Sequence, residues 1–258
     1  MKALNTNLKK RVIPIILVSS HQVVKSREFK DYRVFGNLEQ TINVFNQRNV
    51  DEIIVLDIDA QKKKSKINLE ILKTLSRNTI MPFSYGGGIQ TIDDVKQCLN
   101  FGCDKVVINS KFIENINFVS ETAKVFGSQC IIASVDYNIL NKNDFQIFSH
   151  SKLKTDNLNI KRYINNLGRL GVGEIIITSV NHEGNLKGYD HSLLQSILNE
   201  VDIPILINGG CGKPEDMIQP LLLGAEGVCA SSIFFYTQYA YRDIKNILLK
   251  NKIKVRIT

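Results

Sequence analysis

A glycine-rich stretch in the first half of the chain carries residue types that can bind phosphate. Residues 82–110 read PFSYGGGIQTIDDVKQCLNFGCDKVVINS, which predicts a buried strand ending in the glycines 86–88, a helix, and a second strand ending at Asn109 and Ser110. Backbone N–H groups at the carboxyl end of a strand, beside hydroxyl and amide donors, suit phosphate oxygens. The pattern predicts a phosphate site, with ordinary turn-forming glycines as the alternative.

A second unit of the same pattern lies 122 positions further along the chain. The two units align without a gap and share these pairs: Pro82 with Pro204, Gly87 with Gly209, Gly88 with Gly210, Asp94 with Asp216, Gly102 with Gly224, and Ser110 with Ser232. This repeat favours two similar halves, at about residues 1–122 and 123–258. The sequence therefore predicts two phosphate sites related by the repeat.

Short apolar runs alternate with amphipathic stretches along the whole chain and indicate the elements that position these sites. Eight runs are predicted as strands: Val12–Val18, Glu52–Asp57, Pro82–Tyr85, Lys105–Ile108, Cys130–Val135, Glu174–Thr178, Ile203–Ile207 and Gly227–Ala230. Eight strands alternating with helices predict an α/β fold, a TIM (βα)8 barrel that forms one domain over residues 1–258. The alternative, an open doubly wound sheet, needs a reversal of strand order that a head-to-tail repeat does not suggest.

The barrel prediction sorts the polar residues between two mouths. Residues that follow the strands line the catalytic mouth, where the two glycine-rich sites would lie on opposite sides and suit a substrate with two phosphate groups. Residues that precede the strands line the other mouth and include four charged side chains: Arg11, Glu52, Lys105 and Glu174. Their alternating signs predict a ring of ion pairs at the bottom of the barrel. The alternative is a set of solvated strand ends with weak salt bridges.

Charge and composition argue against several classes of partner. The net charge is +8, but the lysines are scattered apart from the run 62–64 and the tail from Lys245 onward. No basic stripe alternates with aromatic residues, so we expect no nucleic-acid partner. The apolar run 12–18 is too short for a signal peptide, and nothing approaches transmembrane length. We therefore expect a cytoplasmic protein without membrane contact.

The cysteines and histidines do not form a metal-binding pattern. The five cysteines have no C-x-x-C spacing, so they are interpreted as buried thiols in a reducing compartment. The four histidines have no metal-binding spacing either, so we expect no metal site. His182, which follows the sixth predicted strand, is a candidate for contact with substrate.

The motifs together resemble the cyclase subunit of imidazole glycerol phosphate synthase, the HisF family. The resemblance covers nearly the whole chain and is carried, in order, by KRVIPIILV, VVK, DEIIVLDI, YGGGI, GCDKVVINS, FGSQCIIASVD, GEIIITSV, KGYD, INGGCGK and ASSIF. It implies a TIM-barrel lyase that uses no cofactor and forms a heterodimer with a HisH-type glutaminase. Ammonia made from glutamine would pass through the barrel to a small bisphosphorylated substrate, where an imidazole ring closes as the substrate is cleaved.

The resemblance also implies roles for individual residues. One phosphate site falls on Gly88, Asn109 and Ser110, and the other on Gly184, Gly210, Ser231 and Ser232. The charged ring of Arg11, Glu52, Lys105 and Glu174 becomes the gate of the ammonia entrance, and Asp104 becomes a residue that faces the glutaminase. The catalytic positions fall on Asp136, one of two essential aspartates, on Glu183, where the family has an aspartate, and on Lys25, the lysine of a mobile loop that covers the substrate.

The other essential aspartate is missing. The family ends its first strand with C-L-D-V, whereas residues 15–18 here read IILV, so Leu17 stands at the position of the aspartate. A leucine cannot transfer a proton, so a pair of carboxylates is available for acid/base catalysis only if Asp57 or Asp59 replaces the lost group.

Three functions follow from this departure. In the first, the barrel receives ammonia from a glutaminase but has diverged toward amidation of a sugar precursor for surface polysaccharide, with a third amidotransferase protein. In the second, the chain is an ordinary cyclase of histidine biosynthesis with a substitute carboxylate. In the third, it only activates the glutaminase. Isomerisation of the related bisphosphate is a weaker alternative, since Leu17 would harm that chemistry equally.

Overall fold

The computed structural model describes residues 9–62, 65–151, 155 and 158–256, so residues 63 and 64 of the basic run lie outside it. Its strands are β1 (Arg11–Ser19), β2 (Gln22–Arg27), β3 (Lys30–Asn37), β4 (Ile53–Asp57), β5 (Phe83–Gly86), β6 (Lys105–Ile108), β7 (Ile131–Asn141), β8 (Asp144–Ile147), β9 (Glu174–Ser179), β10 (Ile205–Asn208) and β11 (Gly227–Ala230). Eight of them pair in parallel in the order β1, β4, β5, β6, β7, β9, β10, β11, and β11 pairs with β1. This closed parallel sheet confirms the predicted TIM barrel and its eight strands.

Helices follow the barrel strands and cover the outside of the sheet. They are α1 (Leu38–Gln47), α2 (Asp59–Lys62), α3 (Leu69–Asn78), α4 (Ile92–Asn100), α5 (Ser110–Glu114), α6 (Asn117–Phe126), α7 (Ile160–Arg169), α8 (Ser192–Ile197), α9 (Ile218–Leu223), α10 (Ile233–Tyr236) and α11 (Tyr241–Lys250), with 3-10 turns at Ser128–Cys130 and Pro214–Met217. Helix α4 begins at a capping box, in which Thr91 and Asp94 exchange side-chain to backbone hydrogen bonds of 3.1 and 2.9 Å. No helix among the described residues is long and apolar enough to cross a bilayer.

Side-chain alternation along the strands divides the core into two layers. On β1, Ile13, Ile15 and Leu17 point into the barrel, while Ile16 and Val18 pack outward against the helices. The inner layer also takes one or two apolar residues from each of the strands β4, β6, β7, β9, β10 and β11 but none from β5, and all of its buried members are at most 8% exposed. The barrel interior is therefore a packed apolar column between two polar mouths.

Two hairpins were not predicted. The segment after β1, expected to be a long loop, forms the antiparallel strands β2 and β3, and β7 continues past the barrel to pair with β8. The β2–β3 turn places Glu28 and Phe29 at φ values of 51° and 58°, a conformation that Asn-Gly sequences normally signal. Every residue of β3 is exposed or half-buried, so it also lacks the apolar alternation that marks a strand.

Candidate functional site at the barrel mouth

The carboxyl ends of the barrel strands surround a cavity of about 350 Å³, which is large enough for a small-molecule ligand. Its deeper wall is made of side chains from the inner apolar layer: Ile15, Leu17, Leu56, Val107 and Ile176. Its polar lining includes Asp57, the glycines 86–88, Asn109, Ser110, Ser134, Asp136, His150, Thr178, Glu183, Asn208 and Ser231. No group of three or more His, Cys, Asp or Glu residues in the described part of the chain is arranged to hold a metal ion.

All three residues predicted for the first phosphate site line this cavity. Gly88 has a φ of 74°, and a Cβ there would lie 2.6 Å from the backbone of Lys66, so only glycine fits. The Asn109 side chain donates from Nδ2 to Asp136 Oδ2 at 2.9 Å, while its Oδ1 has no partner among the described residues. Asn109 Oδ1 can only accept hydrogen bonds, and phosphate oxygens are acceptors too, so this atom would not bind phosphate. A phosphate contact here would come from backbone N–H groups or from the Ser110 hydroxyl.

The second predicted phosphate site forms a separate small pocket of about 10 Å³. Its lining includes all four predicted residues, Gly184, Gly210, Ser231 and Ser232. All four lie after strands: Gly184 follows β9, Gly210 follows β10, and the two serines follow β11. Strands β10 and β11 are four positions around the barrel from β5 and β6, respectively, so the two sites lie on opposite sides of the mouth. Ser231 lines both spaces and connects them.

Lys25 lies on a strand and is buried, in contrast to its predicted place in a covering loop. It lies on β2, its side chain is 2% exposed, and it is not among the residues that line the cavity. Its Nζ contacts Ser231 Oγ, lies 3.5 Å from Ile15 O and lies 3.8 Å from the centroid of the Phe235 ring. Burial lowers the pKa of Lys25 to about 7, although the nearby charge of Glu183 opposes this.

Glu183 lies at the junction of the cavity and the small pocket and is 7% exposed. Burial raises its pKa to about 7, Lys25 opposes this rise, and the negative charge of Asp136 adds to it. Its backbone carbonyl accepts a 2.9 Å hydrogen bond from Glu28 N, so the tip of the β2–β3 hairpin lies against this part of the mouth. His182, one residue earlier, pairs with Ser179 Oγ at 3.0 Å and does not line either space.

Asp136 lies on β7 within a set of hydrogen-bond donors. Its Oδ2 is 2.7 Å from His150 Nε2 and also accepts from Asn109, and its Oδ1 accepts from Ser134 Oγ at 3.3 Å. His150 follows β8, and the β7–β8 hairpin returns it to the carboxylate. Sequence reasoning missed His150, because its distance from Asp136 depends on the pairing of these two strands.

Leu17 lines the cavity and packs in the inner apolar layer, so β1 presents an apolar side chain and no carboxylate to the cavity at this position. The two candidate substitutes differ in placement. Asp57 lies on β4, opposite Val18 in the ladder, and lines the cavity. Asp59 does not line it, because its carboxylate accepts hydrogen bonds of 2.8 Å from Ser19 Oγ and 2.9 Å from Ser20 N at the β1–β2 turn.

The opposite mouth carries the predicted charged residues in one connected cluster. Arg11 is 3.2 Å from Glu52 and 3.0 Å from Glu174, and Lys105 is 2.6 Å from Glu174. Burial raises the pKa of Glu52, and the two cations oppose that rise. Asp104 lies exposed beside this cluster, and its side chain accepts a 3.0 Å hydrogen bond from Phe83 N. The ion pairs therefore stand at the end of the apolar column that leads to the cavity.

Comparison with known proteins agrees with this arrangement. A family model described as "Histidine biosynthesis protein" matches residues 11–240. A Campylobacter jejuni protein provisionally named imidazole glycerol phosphate synthase subunit hisF2 is 41% identical over 252 residues, which cover 97% of this chain and 99% of that protein. The imidazole glycerol phosphate synthase subunits HisF of Thermococcus onnurineus and Helicobacter hepaticus are each 33% identical over 97% of this chain and at least 99% of theirs. The resemblance in the sequence is thus confirmed, and the chain belongs to the HisF family of imidazole glycerol phosphate synthase subunits.

Proposed function

We propose that this chain is the ammonia-accepting barrel of a glutaminase-linked synthase and that it uses ammonia on a phosphorylated substrate held in the mouth cavity. The observation that carries the proposal is the continuous order of the charged cluster, the packed apolar column and the polar cavity. The four charged residues would admit ammonia from a glutaminase docked at their mouth, beside Asp104. An apolar column favours neutral ammonia over ammonium, because a buried charge without a partner is costly.

The two glycine-rich sites support a substrate with two phosphate groups. Gly88, Asn109 and Ser110 would hold one phosphate, and Gly184, Gly210, Ser231 and Ser232 would hold the other. Lys25 contacts Ser231 Oγ, so an anion in the small pocket would lie near its amine and favour the protonated form of that amine. Asp136 and Glu183 would act between the two ends, where both side chains line the cavity.

We further propose that the reaction has diverged from that of the ordinary cyclase, because Leu17 removes one of its two carboxylates. In this reading the ammonia is used to amidate a sugar precursor of surface polysaccharide, together with a third amidotransferase protein. The name hisF2 of the Campylobacter relative is consistent with a second-copy role. The competing function, an ordinary cyclase, is favoured by one observation: Asp57 lines the cavity and could replace the lost carboxylate.

The two functions are separated by assaying imidazole glycerol phosphate formation from free ammonium and the bisphosphorylated ribulosyl substrate. Divergence predicts a wild-type rate of product formation that is measurable but far below that of an ordinary cyclase, and a gain in Leu17→Asp. A wild type that forms product at the rate of an ordinary cyclase, with loss in Asp57→Asn, would instead establish the competing function.

The ammonia route is tested with the partner glutaminase by comparing glutamine hydrolysis with delivery of ammonia to product. We expect Lys105→Met to uncouple the two rates, while Lys96→Met, a change on the exposed face of α4, leaves them coupled. A barrel that only activates the glutaminase would stimulate hydrolysis equally in both variants and form no aminated product.

A further inference from the structure

An imidazole and a carboxylate form a close pair at the cavity. His150 Nε2 lies 2.7 Å from Asp136 Oδ2, and 34% of the His150 side chain is exposed, against 7% of the Asp136 side chain. The imidazole ring packs against two aromatic rings, with centroid distances of 5.1 Å to Phe29 and 5.0 Å to Phe148, and these two rings contact each other at 5.6 Å. His150 is therefore held by a three-ring cluster that joins its own loop to the β2–β3 hairpin.

We propose that His150 is the residue that transfers protons in this barrel, positioned by Asp136, and that the pair supplies the acid/base function missing at Leu17. The proposal rests on the proposed function, since it concerns the same cavity. In a neutral imidazole that donates Nε2–H to the carboxylate, the lone pair remains on Nδ1, which has no hydrogen-bond partner among the described residues. A carboxylate behind a histidine fixes its tautomer and stabilises the imidazolium form.

The surroundings of Asp136 favour the imidazole as the group that exchanges protons. Both carboxylate oxygens already accept hydrogen bonds, from Asn109, His150 and Ser134. Both oxygens are therefore engaged by protein donors rather than open toward a bound substrate. His150 lines the cavity and keeps one nitrogen open, so it meets the geometric requirement for a general base.

The step that such a pair would assist is the addition of ammonia to a carbonyl carbon. The nitrogen lone pair forms the C–N bond, and the carbonyl π electrons move onto oxygen. His150 Nδ1 takes a proton from the attached nitrogen and returns it to that oxygen, which becomes a hydroxyl. In a second step His150 carries another proton from the nitrogen to this hydroxyl, which leaves as water as the C–O bond breaks and the C=N bond forms. Both protons of the oxygen therefore come from ammonia, and the products are an imine and water. No oxidant or reductant is needed.

The test combines kinetics with a spectroscopic signature. With free ammonium and the bisphosphorylated ribulosyl substrate, His150→Gln should lower kcat by roughly 100-fold or more with little change in KM, as expected for loss of a general acid/base. His21→Gln is the control, because His21 is an exposed histidine that lines neither the cavity nor the small pocket, and it should stay within about twofold of wild type. A His150→Gln variant as active as that control would overturn the proposal.

The ¹⁵N NMR spectrum of the imidazole tests the pair without any turnover. We expect the neutral His150 ring in the wild type to be the Nε2–H tautomer, and we expect that preference to be lost in Asp136→Ala. Circular dichroism would confirm that this variant is folded. An Nδ1–H tautomer in the wild type, or a spectrum unchanged in Asp136→Ala, overturns the pair. A wild type that forms no product removes the ordinary cyclase as a candidate function, and the tautomer result then decides the His150–Asp136 pair independently.

Discussion

Replacing Glu183 with glutamine should abolish a pH-dependent loss of stability. Burial raises the pKa of this carboxyl from 4.5 to about 7 in the folded protein. Between these two pH values the folded state keeps a proton that the unfolded state has released, so the free energy of unfolding falls as the pH rises and is constant above about 7. At ~1.36 kcal/mol for each pKa unit, the wild type loses about 3 kcal/mol between about pH 4 and pH 8 through this group.

The variant has no carboxyl at this position, so its stability relative to wild type should grow by that amount over the same pH range. Reversible urea unfolding of both proteins at several pH values measures the difference. Glu121→Gln is the control, because Glu121 is an exposed glutamate on α6 and its substitution should give a flat difference. Parallel stability curves for wild type and Glu183→Gln would refute the reasoning, since they would mean that the carboxyl is not desolvated in the folded state.

Three further substitutions test other parts of the structure. Lys25→Met should remove a rise in stability of ~2 kcal/mol between about pH 7 and pH 9, because the buried amine is neutral in this range while the unfolded chain keeps its proton. Urea unfolding at several pH values measures this rise, and a variant that retains it would contradict the prediction. Gly210→Ala should destabilise by about 3 kcal/mol or more, because a Cβ would lie 2.1 Å from a backbone oxygen at a φ of 104°, whereas Gly36→Ala, with nothing within 4 Å, should change stability by less than about 1 kcal/mol. Arg11→Met should lower the free energy of unfolding by roughly 2 to 3 kcal/mol, since it leaves Glu52 and Glu174 without their shared cation. A variant that unfolds at the same temperature as the wild type would argue against a structural role for the cluster.

The eight short apolar runs, each followed by an amphipathic stretch, were enough to predict the barrel fold from the sequence. Buried parallel strands are apolar on both faces, so each of the eight appears as a short continuous run, and the run after each helix could be placed without tertiary information. The position of a residue before or after a strand then assigns it to one mouth. This is why the charged cluster of Arg11, Glu52, Lys105 and Glu174 and the location of Gly88, Asn109 and Ser110 at the cavity could be predicted.

Only the tertiary structure decided what surrounds those residues. The β2–β3 hairpin lacks the usual turn sequence and β3 has no buried face, so no local signal marks it. The β7–β8 turn contains Asn141, Asn143 and Asp144, residue types typical of turns, but this does not show which strands pair. The two hairpins nevertheless bury Lys25 against Ser231, 206 positions away, and return His150 to Asp136. Such contacts depend on where the chain folds back rather than on residue type.

The same distinction holds for the lost aspartate. The sequence by itself determined that a leucine, Leu17, stands near the end of the first strand, and the resemblance to the HisF family implies a catalytic aspartate at that position. The sequence could not separate Asp57 from Asp59 or indicate His150. Side-chain direction on a strand, and the hydrogen bonds that turn Asp59 toward Ser19 and away from the cavity, exist only in the folded barrel.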